Sequence, residues 1–186
     1  AYAVRALPKV AQTDDIKNLA VEIVGKATDK REQAKLIYEW VSTKISYAGN
    51  CVGVGAVVPH DTKFILDNRM GDCKDHATLL QSLLAVQGIK STQALINSGT
   101  VYQLPSIPAV NSVNHVINYL PEFDLFVDST SEITPFGSLP RNIQGKPVLL
   151  VEGFVNDLKT PVTPVGRNKQ TTVTELIFQP DGSVKG

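Results

Sequence analysis

The sequence is short of the residues that carry chemistry. It has two cysteines, Cys51 and Cys73, and three histidines, His60, His76 and His115. Two cysteines cannot build a disulfide framework; they form one bridge or stay two thiols. Long charge runs are missing too. The 18 basic and 18 acidic residues balance, so the basic stripe of a nucleic-acid binder is absent and that class of partner is excluded. No apolar run approaches the roughly 20 residues that cross a bilayer as a helix; PVLLV at 147–151 is among the longest. No signal peptide is visible. The first residue is Ala1, not Met, which reads as a processed form or an excised fragment.

What is present suffices for a core. Apolar residues make up 42 % of 186, enough for one ordinary domain with an extra arm. In TDDIKNLAVEIVGKA, residues Ile16, Leu19, Ala20, Ile23 and Val24 recur at helical spacing, with Thr13 or Asp14 as cap. A second helix follows in TDKREQAKLIYEWVSTKISYAG. Asp29 and Glu32 form a capping-box-like pair there, and Ala34, Ile37, Tyr38, Val41 and Ile45 line one face. Residues 49–63, rich in Gly and Val, read as loop. A third helix is expected from about Asp72 to Gln87, stopped by Gly88. The pattern then turns to strands at TQALIN, VNHVINYL, DLFVDST, PVLLV and TTVTELIF. Between the first two, VYQLPSIPAVNS reads as a surface loop. Helices first and strands after predict an α+β domain with a mainly antiparallel sheet. The closing TTVTELIFQPDGSVKG reads as a strand and a turn with nothing to return to, as in a piece of a longer protein.

Cys73 is the residue that stands out. In GDCKDHATLL, Asp72 is a good N-cap and Asp75 suits the first turn. Cys73 is then the first helical residue, where unpaired N–H groups and the helix dipole favour thiolate. The same N–H groups can hold a developing oxyanion, and Gly71 permits the tight turn into the helix. A small buried apolar cysteine is the competing reading.

A cysteine nucleophile needs a base and a group that orients the base. His60 lies in the Gly/Val-rich loop and reads as a solvated surface residue. His76, one turn after Cys73, reads as a plain surface histidine of the helix. His115 differs. In NSVNHVINYL it shares a strand face with Val113, Ile117 and Tyr119. If Leu120 pairs with Leu125 across the next turn, Ile117 falls opposite Asp128 and His115 lies one diagonal step from that carboxylate. Asp128 sits in the apolar run LFVDST, where an unpaired carboxylate is costly. A three-residue turn with a bulge would break the parity. The competing reading is a satisfied pair that only joins two strands. A metal site of Cys51, His60, Cys73 and His76 is the third possibility, but the 21 residues between the cysteines lack zinc-ribbon spacing.

The order Cys73 in GDCKDHATLL, His115 in NHVINYL and Asp128 in LFVDST resembles the core of the transglutaminase-like superfamily, with its papain-like fold. Four further features resemble a bacterial branch of that superfamily whose core lies between β-rich domains. They are a helix ending at WVSTKISYAG, the GDCKD box, an LPS segment before NHVI, and a late LP…QGKPVLLV stretch. The resemblance covers about residues 13–151. It implies a core domain at 1–155 and, at 156–186, an extension that begins a following β-rich domain. It implies Cys73 as nucleophile, His115 as general base and acid, and Asp128 as the orienting carboxylate. Tyr47 in KISYAG, with Asp72 as support, is its candidate for the oxyanion side; Tyr47 as a helix-end packing residue is the alternative. Two departures leave the triad intact: His76 stands where such boxes often carry lysine, and DST replaces Asp followed by Pro or Ala. A Cys51–Cys73 bridge would switch the site off.

The expected activity is acyl transfer or hydrolysis at peptide or glutamine side-chain amides, through a thioester, without cofactor or metal. The partner is a protein or peptide substrate, and the parent protein carries flanking domains, an association that points to the cell envelope or secretion. The alternative is a catalytically silent protein-binding module that keeps the fold.

Overall fold

The structure, a computed structural model, describes residues 2–49, 53–100, 102–105, 112–153, 155, 157–167 and 171–185. Helices come first. A short α1 (Ala3–Ala6) precedes α2 (Asp14–Val24) and α3 (Lys30–Lys44). The Thr13 side chain caps α2 by accepting from Ile16 N–H, and α2 buries Ile16, Ala20 and Val24, one turn apart. Asp29 caps α3 by accepting from Glu32 N–H at 2.8 Å. The reciprocal half of the expected box does not form: the Glu32 carboxylate meets Lys35 Nζ at 3.4 Å.

Residues 49–63 are not all loop. A helix, α4 (Thr62–Asn68), starts inside that stretch and ends at Arg69 in the left-handed region, φ +52°. It separates two strands of two residues each, β1 (Ser46–Tyr47) and β2 (Met70–Gly71), which pair in parallel with Tyr47 opposite Gly71. β2 leads directly into α5 (Cys73–Val86), which ends as expected before Gly88, φ +66°.

α5 is the central element. Every residue from Lys74 to Leu84 is buried. Leu79, Leu80, Leu83 and Leu84 lie in one core with Ile16, Ala20, Ile37, Tyr38 and Val41 of α2 and α3. Each such leucine contributes roughly 1.5–3 kcal/mol by leaving water. The other side of α5 faces an antiparallel sheet of β3 (Thr92–Ile96), β4 (His115–Leu120), β5 (Leu125–Val127) and β6 (Val148–Leu150), in the order β5-β4-β3-β6. Polar contacts fix helix to sheet: Gln93 Nε2 donates to Thr78 Oγ1 at 3.1 Å, and Asn118 Nδ2 to the Ala77 carbonyl at 3.0 Å. A second apolar cluster, with Ala94, Ile96, Ile117, Phe126, Ile143 and Val148, covers the far face of the sheet. The fold is thus α+β with an antiparallel sheet, as the sequence pattern predicts.

The last segment differs from expectation. The turn after TTVTELIF does return: β7 (Ile177–Phe178) pairs with β8 (Val184–Lys185). Asp181 accepts from Ser183 N–H and Oγ–H within the turn, and Gly182 takes φ +80°. Among the described residues no helix is long and apolar enough to cross a membrane.

Candidate active site

Cys73 is the first residue of α5, and its thiol is free and half-buried. Asp72 and Asp75 form a full capping box: the Asp72 carboxylate accepts from the first-turn amides, and Asp75 Oδ2 accepts from Asp72 N–H at 3.2 Å. Gly71 is required for a packing reason. A Cβ there would stand 2.6 Å from the Asp75 Cβ. Of the first-turn amides, those of Lys74 and Asp75 go to the Asp72 side chain and that of His76 to the Asp72 carbonyl. The Cys73 N–H has no acceptor among the described residues.

His115 opens β4 and Asp128 follows the last residue of β5. Their register is the one the sequence argument required, with Leu120 opposite Leu125. The short turn keeps parity, because Pro121–Phe123 form one 3-10 turn and Asp124 closes it at φ +46°. His115 Nε2 lies 2.8 Å from Asp128 Oδ2, and the side chains are 12 % and 3 % exposed. Asp128 Oδ1 accepts from Thr130 N–H at 3.1 Å and Thr130 Oγ1–H at 2.7 Å. Burial by itself would raise the Asp128 carboxyl, but the His115 bond and charge and the Thr130 donors hold it below the usual carboxylate range. Burial by itself would likewise depress His115. Hydrogen bonds to the Asp128 carboxylate and the Cys73 sulfur, with their negative charges, outweigh it and push His115 up to about 10. Because Nε2 is taken by Asp128, Nδ1 is the nitrogen left for the sulfur.

The other two histidines are not surface residues. His76 is buried; its Nδ1–H donates to the Ser129 carbonyl at 2.8 Å, and burial lowers its pKa. Its Nε2 is buried without a partner among the described residues. The cause is the helix: α5 is enclosed all round, so no position one turn after Cys73 can face water. His60 is fastened to the same helix. Its N–H donates to Asp75 Oδ1 at 2.7 Å, its Nδ1 lies 2.9 Å from Asp75 Oδ2, and its ring stacks on Phe64 at 4.3 Å. These two imidazoles therefore serve different partners. Among the described residues no group of three or more His, Cys, Asp or Glu could hold a metal ion. Both readings that involve Cys51 lie outside the described residues.

Tyr47 lies on β1 opposite Gly71, with its ring 6.1 Å from that of His76, and is 52 % exposed. Asp72 is fully engaged as cap and as partner of Lys74, and a carboxylate has no proton to give an oxyanion. Three neighbours were not singled out from the sequence. Tyr38 donates to the Asp128 carbonyl at 3.1 Å and the Thr134 carbonyl at 2.7 Å. Lys74 pairs with Asp72 in the interior. Tyr2 donates to Gln93 Oε1 at 2.8 Å; burial first, then the charges of Cys73, Asp72 and Asp75, push its phenol up. Tyr38 could have been flagged as a tyrosine on an apolar helix face, whose hydroxyl needs a partner.

A thiol at a helix N-terminus, an imidazole between it and a buried carboxylate, and an unengaged amide are the parts of a nucleophilic site. Residues 17–106 match the Transglutaminase-like superfamily core model. No curated protein matches the chain. Among solved structures, one titled "putative protease", from Parabacteroides distasonis, covers 88 % of this chain at 15 % identity and a TM-score of 0.64. A "putative cysteine protease" from Cytophaga hutchinsonii covers 67 % at 17 % identity and a TM-score of 0.47. The chain spans 31 % of the first and 42 % of the second. Residues 17–106, just under half of the chain, are thus similar to the transglutaminase-like superfamily core, and the fold is shared with the first of these structures.

Proposed function

We propose that this chain is a cysteine enzyme that cleaves or transfers acyl groups at protein amide bonds. One observation carries the reading: the His115 ring is bonded to Asp128 at 2.8 Å and is near enough to the Cys73 sulfur for that sulfur to help raise its pKa. In this mechanism the Cys73 thiolate adds to the amide carbonyl carbon. The oxyanion forms at the α5 N-terminus, within reach of the Cys73 N–H. Imidazolium His115 gives its proton to the departing amine nitrogen as the C–N bond breaks, and an acyl thioester remains. Neutral His115 then takes a proton from water, which attacks the thioester. Collapse of that adduct expels the thiolate and leaves a carboxylic acid. Asp128 holds the ring in register and supports its positive form throughout. A lysine amine in place of water would give a crosslink. Hydrolysis is the proposed outcome, because excluding water needs architecture beyond a half-buried thiol. The neighbour titled "putative protease" supports the same class.

The test is peptide-amide hydrolysis and iodoacetamide labelling by the wild type and by Cys73→Ala. The wild type should hydrolyse a casein-derived peptide mixture and label at Cys73; Cys73→Ala should lose both. Amidase activity that survives Cys73→Ala would sink the assignment.

A further inference from the structure

Three buried carboxylates flank the nucleophile along the chain or stand behind its imidazole. Asp72 precedes it, Asp75 follows two residues later, and Asp128 stands behind His115; they are 1 %, 0 % and 2 % exposed. Negative charge there opposes a thiolate. Each carboxylate has its own partner: His115 for Asp128, His60 for Asp75, Lys74 for Asp72. The proposed reaction uses only the first pair.

The Asp72–Lys74 pair is the hardest to explain as scaffold. Lys74 is buried, and an ammonium with a carboxylate in the interior is expensive to desolvate. The cap does not require it, because asparagine caps a helix about as well as aspartate and brings no charge. What the pair does is leave the turn capped and nearly neutral. The groups gathered at this end of α5 are Tyr2 before α1, Tyr47 on β1, His60 before α4, Asp72, Lys74, Asp75 and His76 on α5, His115 on β4 and Asp128 after β5. Among them Lys74 is the one lysine or arginine.

We propose that Lys74 is a positioning residue that acts through Asp72: it cancels the carboxylate beside the nucleophile, so that the helix terminus and His115 set the field at the sulfur. The proposal rests on the reading of Cys73 as nucleophile. It gives the two partners opposite signs. Removing Lys74 leaves a bare carboxylate next to the sulfur and disfavours thiolate. Removing the Asp72 charge leaves a bare ammonium and favours it. Removing both restores the balance.

The experiment is the rate of Cys73 alkylation by iodoacetamide, an uncharged reagent, against pH, read by peptide mass spectrometry on the full chain. Lys74→Met should move the half-maximal pH up by about one to two units, roughly the effect of one charge about 6–12 Å away at an effective dielectric of about 20. Asp72→Asn should move it down by a similar amount. The double variant should return to within about 0.3 unit of wild type. Single variants that shift in the same direction, or not at all, beside a wild type that still alkylates fast near pH 6, overturn the role of Lys74 and leave Cys73 as nucleophile. A wild-type profile like that of a free thiol, near pH 8.5, and indifferent to His115→Ala, overturns both. If Lys74→Met does not fold, absence of a downward shift in Asp72→Asn overturns the proposal by itself.

Discussion

Two imidazole–carboxylate pairs flank the first turn of α5, and they are nearly the same length: His115–Asp128 at 2.8 Å and His60–Asp75 at 2.9 Å. Their settings differ. His115 is 12 % exposed and its pKa is raised in part by the Cys73 sulfur, and Asp128 answers also to Thr130. His60 is 30 % exposed and lies against Phe64, and its carboxylate belongs to the cap of the helix. The first pair is the one the proposed reaction uses. The second fastens the loop before α4 to the helix that carries the thiol. The contact is the same, and the third partner decides what each pair does.

The largest expected separation between the pairs is in turnover. His115→Ala should lower kcat/KM for amide hydrolysis by about 10²–10⁴, the usual worth of a general acid–base. His60→Ala should stay within about tenfold of wild type. Equal losses from both would erase the distinction.

Next in size is the effect of pH on stability. The folded pKa of His115, about 10, lies above the 6.5 of an ordinary histidine. Its contribution is therefore complete below about pH 6.5 and lost as pH rises through about 10. Asp128 runs the other way. Its folded pKa is depressed, so its contribution is complete above about pH 3.9 and lost as pH falls through the lower, folded value. Urea midpoints measured from pH 6.5 to 10 should fall for the wild type and fall much less for His115→Gln. A parallel fall in both proteins would contradict the assigned shift. Asp128→Asn should bring the His115 titration, followed by its ring-proton NMR signals, down from about 10 towards the ordinary range.

Sequence alone located the first pair and misread the second, and the reason is physical. A strand has period two, so one correct register places His115 and Asp128 together, and the apolar setting of Asp128 demanded a partner. The turn into α5 was equally readable, because N-cap chemistry and a terminal glycine are local signals. His60 meets Asp75 through an irregular segment, 15 residues away, where no period applies. α4 is seven residues anchored by Ile65 and Thr62, too few for a helical pattern to show. His76 looked exposed because a surface helix was assumed, although the apolar run ATLLQSLLAV after it belongs to a helix buried all round. Lys74 was invisible for a similar reason: a lysine is expected outside, and its burial depends on the fold closing over the turn.

The smallest predicted effect says most about the second pair. His60→Ala removes the ring but keeps the backbone N–H that donates to Asp75 Oδ1 at 2.7 Å, and Asp72 N–H still donates to Oδ2. Asp75 thus keeps two of its three donors, and the cap of α5 should survive. The lost ring contact, to a charged acceptor but partly open to solvent, is worth about 1–2 kcal/mol. That loss should appear as a lower urea midpoint with unchanged slope. Hydrogen exchange should rise in residues 53–61 and not along α5. Faster exchange at the first turn of α5 would mean that His60 holds the helix terminus itself, and the contrast between a pair that serves the sulfur and a pair that serves the loop would no longer stand.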